Sequence, residues 1–343
     1  MIIKDISIYP VCYEMLNVLE SSTILHKNRD SWIIKITDID GYIGYGEASP
    51  LPDFNDETFE ESGYALEGFK LAFKGINDNM ALDELMILIQ AHTLNSPSAN
   101  FAIDTAINDI LAQQKNCSLN KYLNFQALSE ININGIYGLT NLDNYNTIKI
   151  KCGFRNLYDE IEILKKLSDK YNSSVNFIID LNQAYDLPKA IRFFKEIEQF
   201  NIKYIEQPIN KSNFEDLIEL RFHTDINIAL DESINDFDSI NRMIDINCGD
   251  IFIIKPQSIG GFSTIKKAVD LINGANKIPV ITSSLEGLIG RLSTMHLCSA
   301  NLISSPCGLA MESIYANETI IFPKIDKGIL SIPNQVGLGY QKD

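Results

Sequence analysis

Six short apolar runs recur along residues 148–283, and each ends in a charged or hydroxyl residue. They read Ile148-Lys-Ile-Lys151, Phe177-Ile-Ile-Asp180, Tyr204-Ile-Glu206, Ile228-Ala-Leu-Asp231, Ile251-Phe-Ile-Ile-Lys255 and Val280-Ile-Thr-Ser283. An amphipathic helical pattern follows each run; within residues 189–200, for example, large apolar side chains recur every third position. Strands that alternate with helices in this way predict a parallel sheet with right-handed crossovers.

The repeat has a nearly constant length. From Lys151 to Ser283, the polar residues that end the runs are spaced 29, 26, 25, 24 and 28 residues apart. A βα unit of this size, repeated at least six times, predicts a (β/α)₈-type barrel. An open, doubly wound sheet is the alternative, but no Gly-x-Gly-x-x-Gly motif follows the first strand of the repeat.

The first third of the chain has a different pattern, typical of an α+β domain. Residues 2–13 and 31–37 read as strands, and the glycine-rich stretch 41–47 supplies a turn and a third strand. Residues 57–73 and 81–91 read as helices. The polar, proline-containing segment 94–98 then breaks the chain, so we expect a domain boundary near it.

Composition limits the classes of function. The chain has 343 residues, 45% hydrophobic and 22% charged, which is typical of a soluble globular protein. A net charge of -16 argues against binding to nucleic acid or to an anionic membrane, and no apolar stretch approaches the ~18 residues of a membrane span. Six scattered cysteines without a Cys-x-x-Cys pair indicate free thiols, and the N-terminus lacks an export signal. We therefore expect a cytoplasmic protein, either a monomer or a homo-oligomer.

Three acidic residues at the ends of successive runs predict a metal site. The carboxyl ends of barrel strands meet at one mouth, where Asp180, Glu206 and Asp231 would repel one another unless a cation neutralised them. No histidines or cysteines stand at ligand spacing, so a hard ion with oxygen ligands fits best. We predict Mg²⁺, with Mn²⁺ as an alternative ion. Helix capping would explain one such residue, but five charged ones at the same point of the repeat favour a site.

Two lysines flank these acids in barrel order. Lys151 precedes them and Lys255 follows, so two amines would lie across the mouth from each other with the metal between. This arrangement suits removal of a proton next to a carboxylate, with the metal stabilising the enediolate that forms. A lysine close to another cation can lose its proton near neutral pH.

The same residues resemble the signature of the enolase superfamily, in particular its muconate-lactonizing-enzyme subgroup. That signature is Lys-x-Lys on the second barrel strand, then Asp, Glu and Asp on the next three strands, and Lys on the sixth. Here it reads Lys149-Ile-Lys151, Asp180, Glu206-Gln-Pro, Asp231-Glu and Lys255-Pro. The resemblance covers essentially the whole chain and implies an α/β fold, a modified (β/α)₇β TIM barrel with an N-terminal α+β capping domain. The implied domains are a cap (1–97), a barrel (98–318) and a C-terminal segment (319–343) that packs back on the cap.

Within the subgroup, the segments 46–54 and 281–290 are similar to those of o-succinylbenzoate synthases. The resemblance implies Mg²⁺-dependent syn-dehydration of a succinyl-hydroxycyclohexadiene carboxylate, through an enediolate, in menaquinone biosynthesis. Lys151 would take the proton alpha to the carboxylate and return it to the departing hydroxyl, while Lys255 stabilises the intermediate from the opposite face. The expected substrate contacts are Lys149, Asn182, Ser283 and Ser284, and Glu232 would support the site by pairing with Lys255. The loops at 14–28 and 49–55 would close over the succinyl chain.

Two other functions remain open. An N-acylamino acid racemase or a dipeptide epimerase would use the same two lysines as its two bases. Dipeptide epimerases usually carry an Asp-x-Asp near the eighth strand, whereas residues 304–316 contain a single acid, Glu312, which argues against epimerisation. A non-catalytic ligand-binding barrel is the second alternative, and the grouped charges at the strand ends argue against it because they are costly to bury.

Overall fold

The computed structural model describes residues 2–20, 25–51, 54, 56–74, 82–309, 314–316, 323 and 325–340. The N-terminal part contains an antiparallel sheet in the order β1-β2-β3. Its strands are β1 (Ile3–Glu20), β2 (Leu25–Asp38) and β3 (Ile43–Ala48). The first two strands are longer than the sequence pattern predicted. Between β2 and β3 the chain turns at Gly41, which has a φ of 89°, and the Asp38 side chain accepts the Tyr42 N–H.

Three helices cover one face of this sheet. They are α1 (Phe59–Lys74), α2 (Leu82–Thr93) and α3 (Pro97–Gln114). Helix α3 lies directly against β3, because Gly44 and Gly46 present no side chain to it. A Cβ atom at Gly46 would lie 1.8 Å from the carbonyl oxygen of Ala102, and one at Gly44 would lie 1.9 Å from that of Ala106. The two glycines therefore allow strand and helix backbones to touch.

The second part of the chain forms a seven-stranded parallel sheet in sequence order, from β5 to β11. Its strands are β5 (Gly135–Ile136), β6 (Thr147–Lys151), β7 (Asn176–Asp180), β8 (Ile202–Glu206), β9 (Ile228–Leu230), β10 (Ile251–Ile254) and β11 (Ile278–Ile281). The helices that accompany them are α4 (Leu119–Leu123), α5 (Leu157–Lys170), α6 (Leu187–Ile197), α7 (Phe214–Leu220), α8 (Phe237–Asp245), α9 (Pro256–Ile259), α10 (Phe262–Gly274) and α11 (Leu288–Ala300).

Two parallel bridges join the edges of this sheet. Gly308 pairs with Thr282, just beyond β11, and Cys307 pairs with Ile133, just before β5. The segment at 307–308 thus occupies the place of an eighth strand. The predicted α/β fold with a modified TIM barrel and an N-terminal cap is confirmed, and the open doubly wound sheet is excluded.

Alternate residues of each barrel strand face opposite sides. One set packs with the helices in the main core, as Ile179, Ile205 and Leu230 do. The other set forms a separate apolar cluster inside the barrel: Ile178, Tyr204, Ala229, Ile251, Ile253 and Val280. The acids and lysines that end the strands continue this inner set, two residues further along. The strand period therefore directs them into the mouth.

The C-terminal segment contacts both parts of the molecule. Strand β13 (Ile329–Ser331) lies between β12 (Ile325–Asp326) and β4 (Glu130–Asn132) in an antiparallel sheet. Further on, the Leu338 N–H donates to Asp109 of α3, and the Tyr340 ring packs edge-on against Tyr45 of the capping sheet, with ring centroids 4.9 Å apart. The exact domain boundaries stay a prediction, because α3 and this segment connect the cap to the barrel.

The structure bears on two predictions from composition, the absence of membrane spans and the free thiols. Within the described residues, no helix is long and apolar enough to cross a membrane. All six cysteines are free, and four of them are buried: Cys152, Cys248, Cys298 and Cys307.

Candidate active site

Parallel pairing aligns the predicted metal ligands at one end of the barrel. Asp180 is the register partner of Glu206 across β7 and β8, and Lys151 is the partner of Asp180 across β6 and β7. Asp231 follows β9 directly, and Lys255 follows β10. The three acids are no more than 3% exposed. Ionised groups this deeply buried require compensation by opposite charge or by hydrogen bonds.

Two of the three lysines at the mouth supply that compensation. The Lys149 ammonium donates to Oε1 of Glu206 at 2.7 Å and lies 3.0 Å from Oδ2 of Asp180. The Lys255 ammonium donates to Oδ2 of Asp231 at 2.7 Å and lies equally close to Oδ1. Lys151, which is half-buried, forms no ion pair with any described residue. Its positive charge acts on Asp180 without a direct contact to a carboxylate of the described residues.

The acids do not share the available positive charge equally. Burial opposes ionisation of Asp180, but Lys149 and Lys151 outweigh it and hold the pKa of Asp180 below its ordinary value. Burial and repulsion from Asp180 and Asp231 raise the pKa of Glu206 well above its ordinary value, despite the contact with Lys149. For Lys149, burial would lower the pKa, but Asp180 and Glu206 raise it well above the usual range. The two acids that share Lys149 thus differ: the ionised form is favoured at Asp180 and disfavoured at Glu206.

Glu232 adds a fourth carboxylate beside the three acids. Its Oε1 accepts from the Asn182 side chain at 3.2 Å, while its buried Oε2 has no hydrogen-bond partner among the described residues. Burial, together with repulsion from Asp231 and Asp180, raises the pKa of Glu232 to about 7. The nearby Lys255 lowers the Glu232 pKa in part, but the ion pair of that lysine is with Asp231.

The two serines after β11 are held in a turn. Oε2 of Glu286 accepts the Ser283 hydroxyl at 3.1 Å and the Ser284 N–H at 2.5 Å. The Ser284 hydroxyl is buried and has no hydrogen-bond partner among the described residues. Of the two serines, Ser284 therefore keeps its hydroxyl available, and Ser283 uses its own within the loop.

The cap reaches the mouth through Phe54. The ring of this residue covers the Lys255 side-chain nitrogen in a cation–π contact, with Nζ 3.5 Å from the ring centroid. Residues 21–24, 52, 53 and 55 of the predicted closing loops lie outside the described residues, as does Glu312. Phe54 is thus the described residue of those loops that contacts a predicted catalytic group.

Comparison with known proteins relates this geometry to a family. Residues 138–343 match the model of the "Enolase C-terminal domain-like" family. The chain belongs to the enolase superfamily. Its relatives in this superfamily are enzymes, and so is this protein.

Similar enolase-superfamily proteins have more than one activity. The chain is 25% identical to o-succinylbenzoate synthase of Bacillus subtilis (strain 168), over 99% of this chain and 94% of that protein. It is 26% identical to an L-amino acid-D/L-Glu epimerase of Francisella philomiragia, over 80% of this chain and 81% of that protein. A dipeptide epimerase from Enterococcus faecalis V583, solved with Mg and the dipeptide L-Leu-L-Tyr, has a TM-score of 0.88 at 21% identity and covers 99% of both chains.

Gln207 orients the loop that carries Asp231, a role that sequence reasoning missed in this superfamily member. Its Oε1 accepts the N–H groups of Asp231 at 3.0 Å and Ser233 at 3.2 Å, and its Nε2 donates to the Ser233 hydroxyl at 2.9 Å. Gln207 itself has a φ of 36°, a left-handed conformation that turns the chain sharply after Glu206. Its position directly after a predicted ligand was the available sequence signal.

Glu160 holds the loops after β6 and β7 in a similar way. This buried carboxylate accepts the Gly153 N–H at 2.5 Å, the Arg155 N–H at 3.3 Å and the Tyr185 hydroxyl at 2.5 Å. It thereby connects the segment that follows Lys151 and β6 to the segment that follows β7. Nothing in the helical pattern around Glu160 distinguished it from the exposed acids beside it.

We expect Gln207→Ala to destabilise the protein strongly. The substitution leaves two buried N–H groups without an acceptor, which should lower the free energy of unfolding by about 3 kcal/mol. Urea denaturation followed by circular dichroism measures the change. Gln199→Ala, in which the replaced side chain is exposed and donates to the Glu196 carbonyl, is the control and should change stability by no more than ~0.5 kcal/mol. Equal effects of the two substitutions would contradict the proposed role of Gln207.

Proposed function

We propose that this enzyme is an o-succinylbenzoate synthase, which removes water from a succinyl-hydroxycyclohexadiene carboxylate in menaquinone biosynthesis. The observation that carries the proposal is the difference between the two flanking lysines. The Lys255 amine contacts Asp231 and the face of the Phe54 ring, whereas Lys151 has no ion-pair partner among the described residues. One amine suited to proton transfer and one fixed positive charge are what a one-base dehydration needs. The Bacillus subtilis synthase, similar over nearly the whole chain, supports this activity.

The acid cluster is chemically suited to Mg²⁺. No three His, Cys, Asp or Glu side chains in the described part of the chain are already grouped as metal ligands, and the Lys149 ammonium lies between two of the acids. However, Oδ1 of Asp231 is buried and accepts no well-oriented hydrogen bond, although Lys255 is 2.7 Å away. Four carboxyl groups lie beside three lysines, and neither Oδ1 of Asp231 nor Oε2 of Glu232 accepts a hydrogen bond from a described residue. We propose that Asp180, Glu206 and Asp231 bind the ion, as hard oxygen ligands do for Mg²⁺.

In the proposed reaction, Lys151 acts twice on the same face of the substrate. Its free amine takes the proton alpha to the carboxylate, and the C–H electron pair moves into the carboxylate to give an enediolate. Bound Mg²⁺ would supply positive charge beside the carboxylate oxygens. Lys255 keeps its proton and stabilises the enediolate from the other side. The protonated Lys151 then gives its proton to the departing hydroxyl, so that water leaves and the ring becomes aromatic.

We assign the remaining polar groups to substrate binding. The Ser284 hydroxyl, which has no hydrogen-bond partner among the described residues, would bond the substrate, and Ser283 would support the same loop. Asn182 joins Glu232 and the Asp180 side chain, so it would orient the site from beside the substrate. Lys149 would favour ionisation of Asp180 and contact the substrate carboxylate.

Epimerisation or racemisation at a carbon next to a carboxylate is the second candidate. Its support is the similarity to the Francisella epimerase and to the fold of the Enterococcus dipeptide epimerase. Such a reaction would need Lys255 to act as a second base, whereas its amine is already engaged by Asp231 and the Phe54 ring. For this reason we rank dehydration first.

Lys151→Ala should abolish turnover without loss of the fold. Removal of a general base and acid typically lowers kcat by about 10²–10⁴-fold, and here one residue would perform both steps. Steady-state assay of aromatic product formation measures the loss, and circular dichroism checks the fold. Dehydration by this variant at a rate near wild type would refute the assignment of Lys151 as the base.

Asp231→Asn should weaken Mg²⁺ binding in a way that does not depend on catalysis. The loss of a direct ligand should exceed the roughly 10–100-fold effect of removing an outer partner of a metal ligand. Isothermal titration with Mg²⁺ measures the affinity directly. Asp225→Asn, which removes the same charge from an exposed position, is the control. If both variants bind Mg²⁺ like the wild type, the proposed ligand set is wrong.

A reaction in D₂O distinguishes the two candidate activities. The synthase should convert its hydroxycyclohexadiene substrate to a new ultraviolet-absorbing aromatic product, because loss of water completes the aromatic ring. A racemase or epimerase should instead introduce deuterium at the alpha carbon of recovered N-acylamino acid or dipeptide, since both lysines exchange protons with solvent. Mass spectrometry and absorbance follow both outcomes. Deuterium exchange without dehydration would replace our first proposal with the second.

A further inference from the structure

A second group of buried charges lies where the capping sheet meets the loop after β11. We call it the interface cluster, and it consists of Arg29, Glu47, Glu286 and Arg291. Glu47, Glu286 and Arg291 are fully buried, and Arg29 is 6% exposed. No step of the proposed reaction uses these residues. Two acids and two arginines balance one another in charge, which makes their joint burial tolerable.

Glu47 reaches from β3 of the cap to the start of barrel helix α11. Its Oε1 accepts the Gly287 N–H at 2.6 Å, and its Oε2 accepts the Gly290 N–H at 2.9 Å. The first N–H groups of a helix have no partner within the helix, and the N-cap residue here is Gly287, which has no side chain to supply one. The Glu47 carboxylate of the N-terminal domain therefore accepts the hydrogen bonds that the first turn of barrel helix α11 cannot make within the helix.

The same end of β3 also holds α9, the short helix that follows β10 and Lys255. The Gln257 side chain donates to the Glu47 carbonyl at 3.0 Å and accepts the Ser49 N–H at 2.9 Å. Gln257 stands two residues after Lys255. Residues 47–49 thus connect the loop that carries Lys255 to the loop that carries Ser283 and Ser284.

Glu286 connects helix α11 to Ser283 and Ser284. It accepts the Ser283 hydroxyl and the Ser284 N–H with one oxygen, and the Thr294 hydroxyl of α11 at 2.9 Å with the other. The Glu286 side chain also packs tightly against the backbone of α11, since a Cβ atom at Gly290 would lie 2.3 Å from Cγ of Glu286. A shift of α11 relative to the cap would therefore move Ser283 and Ser284 as well.

Buried charge is an expensive way to hold two domains together, since apolar contacts achieve the same at lower cost. What a carboxylate adds is direction, because its two oxygens fix two specific N–H groups in space. We infer that Glu47 is a positioning residue for the reaction: from the cap, it sets the place of the substrate-binding loop at 283–287 relative to Lys255. This inference rests on the proposed function, in which that loop contacts the substrate.

Glu47→Gln tests the inference, because the amide replaces one of the two acceptor oxygens with a donor. We expect hydrogen–deuterium exchange of the peptide 283–291 to accelerate by about tenfold or more, and KM to rise by about tenfold while kcat changes by less than about threefold. Exchange is followed by mass spectrometry of the full chain after digestion. Steady-state assays with the hydroxycyclohexadiene substrate give the kinetic constants.

Glu57→Gln is the matched control. Glu57 is another buried carboxylate of the cap, which accepts the Ser98 N–H at 3.0 Å and the Ser98 hydroxyl at 2.7 Å, on helix α3 rather than on the loop after β11. This variant should lower Tm but leave KM and the exchange of residues 283–291 at the wild-type values. If Glu47→Gln behaves like Glu57→Gln in both readouts, Glu47 is merely structural and the inference is overturned.

Two further measurements keep the test decisive. If Glu47→Gln does not fold, Glu47→Asp keeps the charge but is one methylene shorter, and unchanged exchange of residues 283–291 in that variant overturns the inference. If the wild-type enzyme does not dehydrate the substrate, the proposed function fails by itself. The exchange comparison between the Glu47 and Glu57 variants then still decides whether Glu47 holds this loop.

Discussion

Neutralisation of three buried carboxylates is the requirement around which the site is organised. Asp180, Glu206 and Asp231 lie at the ends of neighbouring strands, where the barrel leaves them almost no exposure to water. Lys149 spans the first two, and Lys255 engages the third. Because Lys149 and Lys151 stand two residues apart on one strand, both point into the barrel. Lys149 pairs with two of the acids, whereas Lys151 forms no ion pair within the described part of the chain. Within the Lys-x-Lys pattern, Lys149 thus helps to neutralise the acids, and Lys151 is the proposed base.

The mouth of the barrel is built from loops, and its precision depends on what holds them. Gln207 fixes the backbone at Asp231, and Glu160 fixes the segment after Lys151. On the opposite side, the support comes from another domain, since Glu47 and Phe54 of the cap contact the loops or side chains beyond the sixth and seventh strands. The N-terminal domain thus covers the mouth through Phe54 and binds the N-terminus of barrel helix α11 through Glu47. We therefore expect substrate binding to depend on how this domain packs against the barrel.

The activities of the relatives differ, yet they share one chemical problem. In both reactions proposed for this protein, a carbanion would form next to a carboxylate, so both would need a base and a means of stabilising the negative charge. The two proposals differ in the role that they give to the second lysine. In this protein the second lysine lies against Asp231 and beneath an aromatic ring, a setting for a fixed cation.

The sequence by itself determined the fold class, because strand period and repeat length are local properties. A period of two along each strand directs Lys149, Lys151, Asp180, Glu206, Asp231 and Lys255 to the inner side, and a regular βα repeat brings their ends to one mouth. The superfamily followed from the same residues.

Tertiary structure alone decided which of these charges pair and which distant residues support them. The sequence did not show that Lys149 would lie on two predicted ligands, that Lys255 would pair with Asp231, or that Ser283 would bond to Glu286. Nor did it connect Glu47 with Gly287 and Gly290, which are more than two hundred residues away. Such contacts depend on how whole domains dock and how buried charges share partners. The local sequence pattern predicts neither the docking of domains nor the pairing of buried charges, because the energy of a buried charge depends on all the groups packed around it.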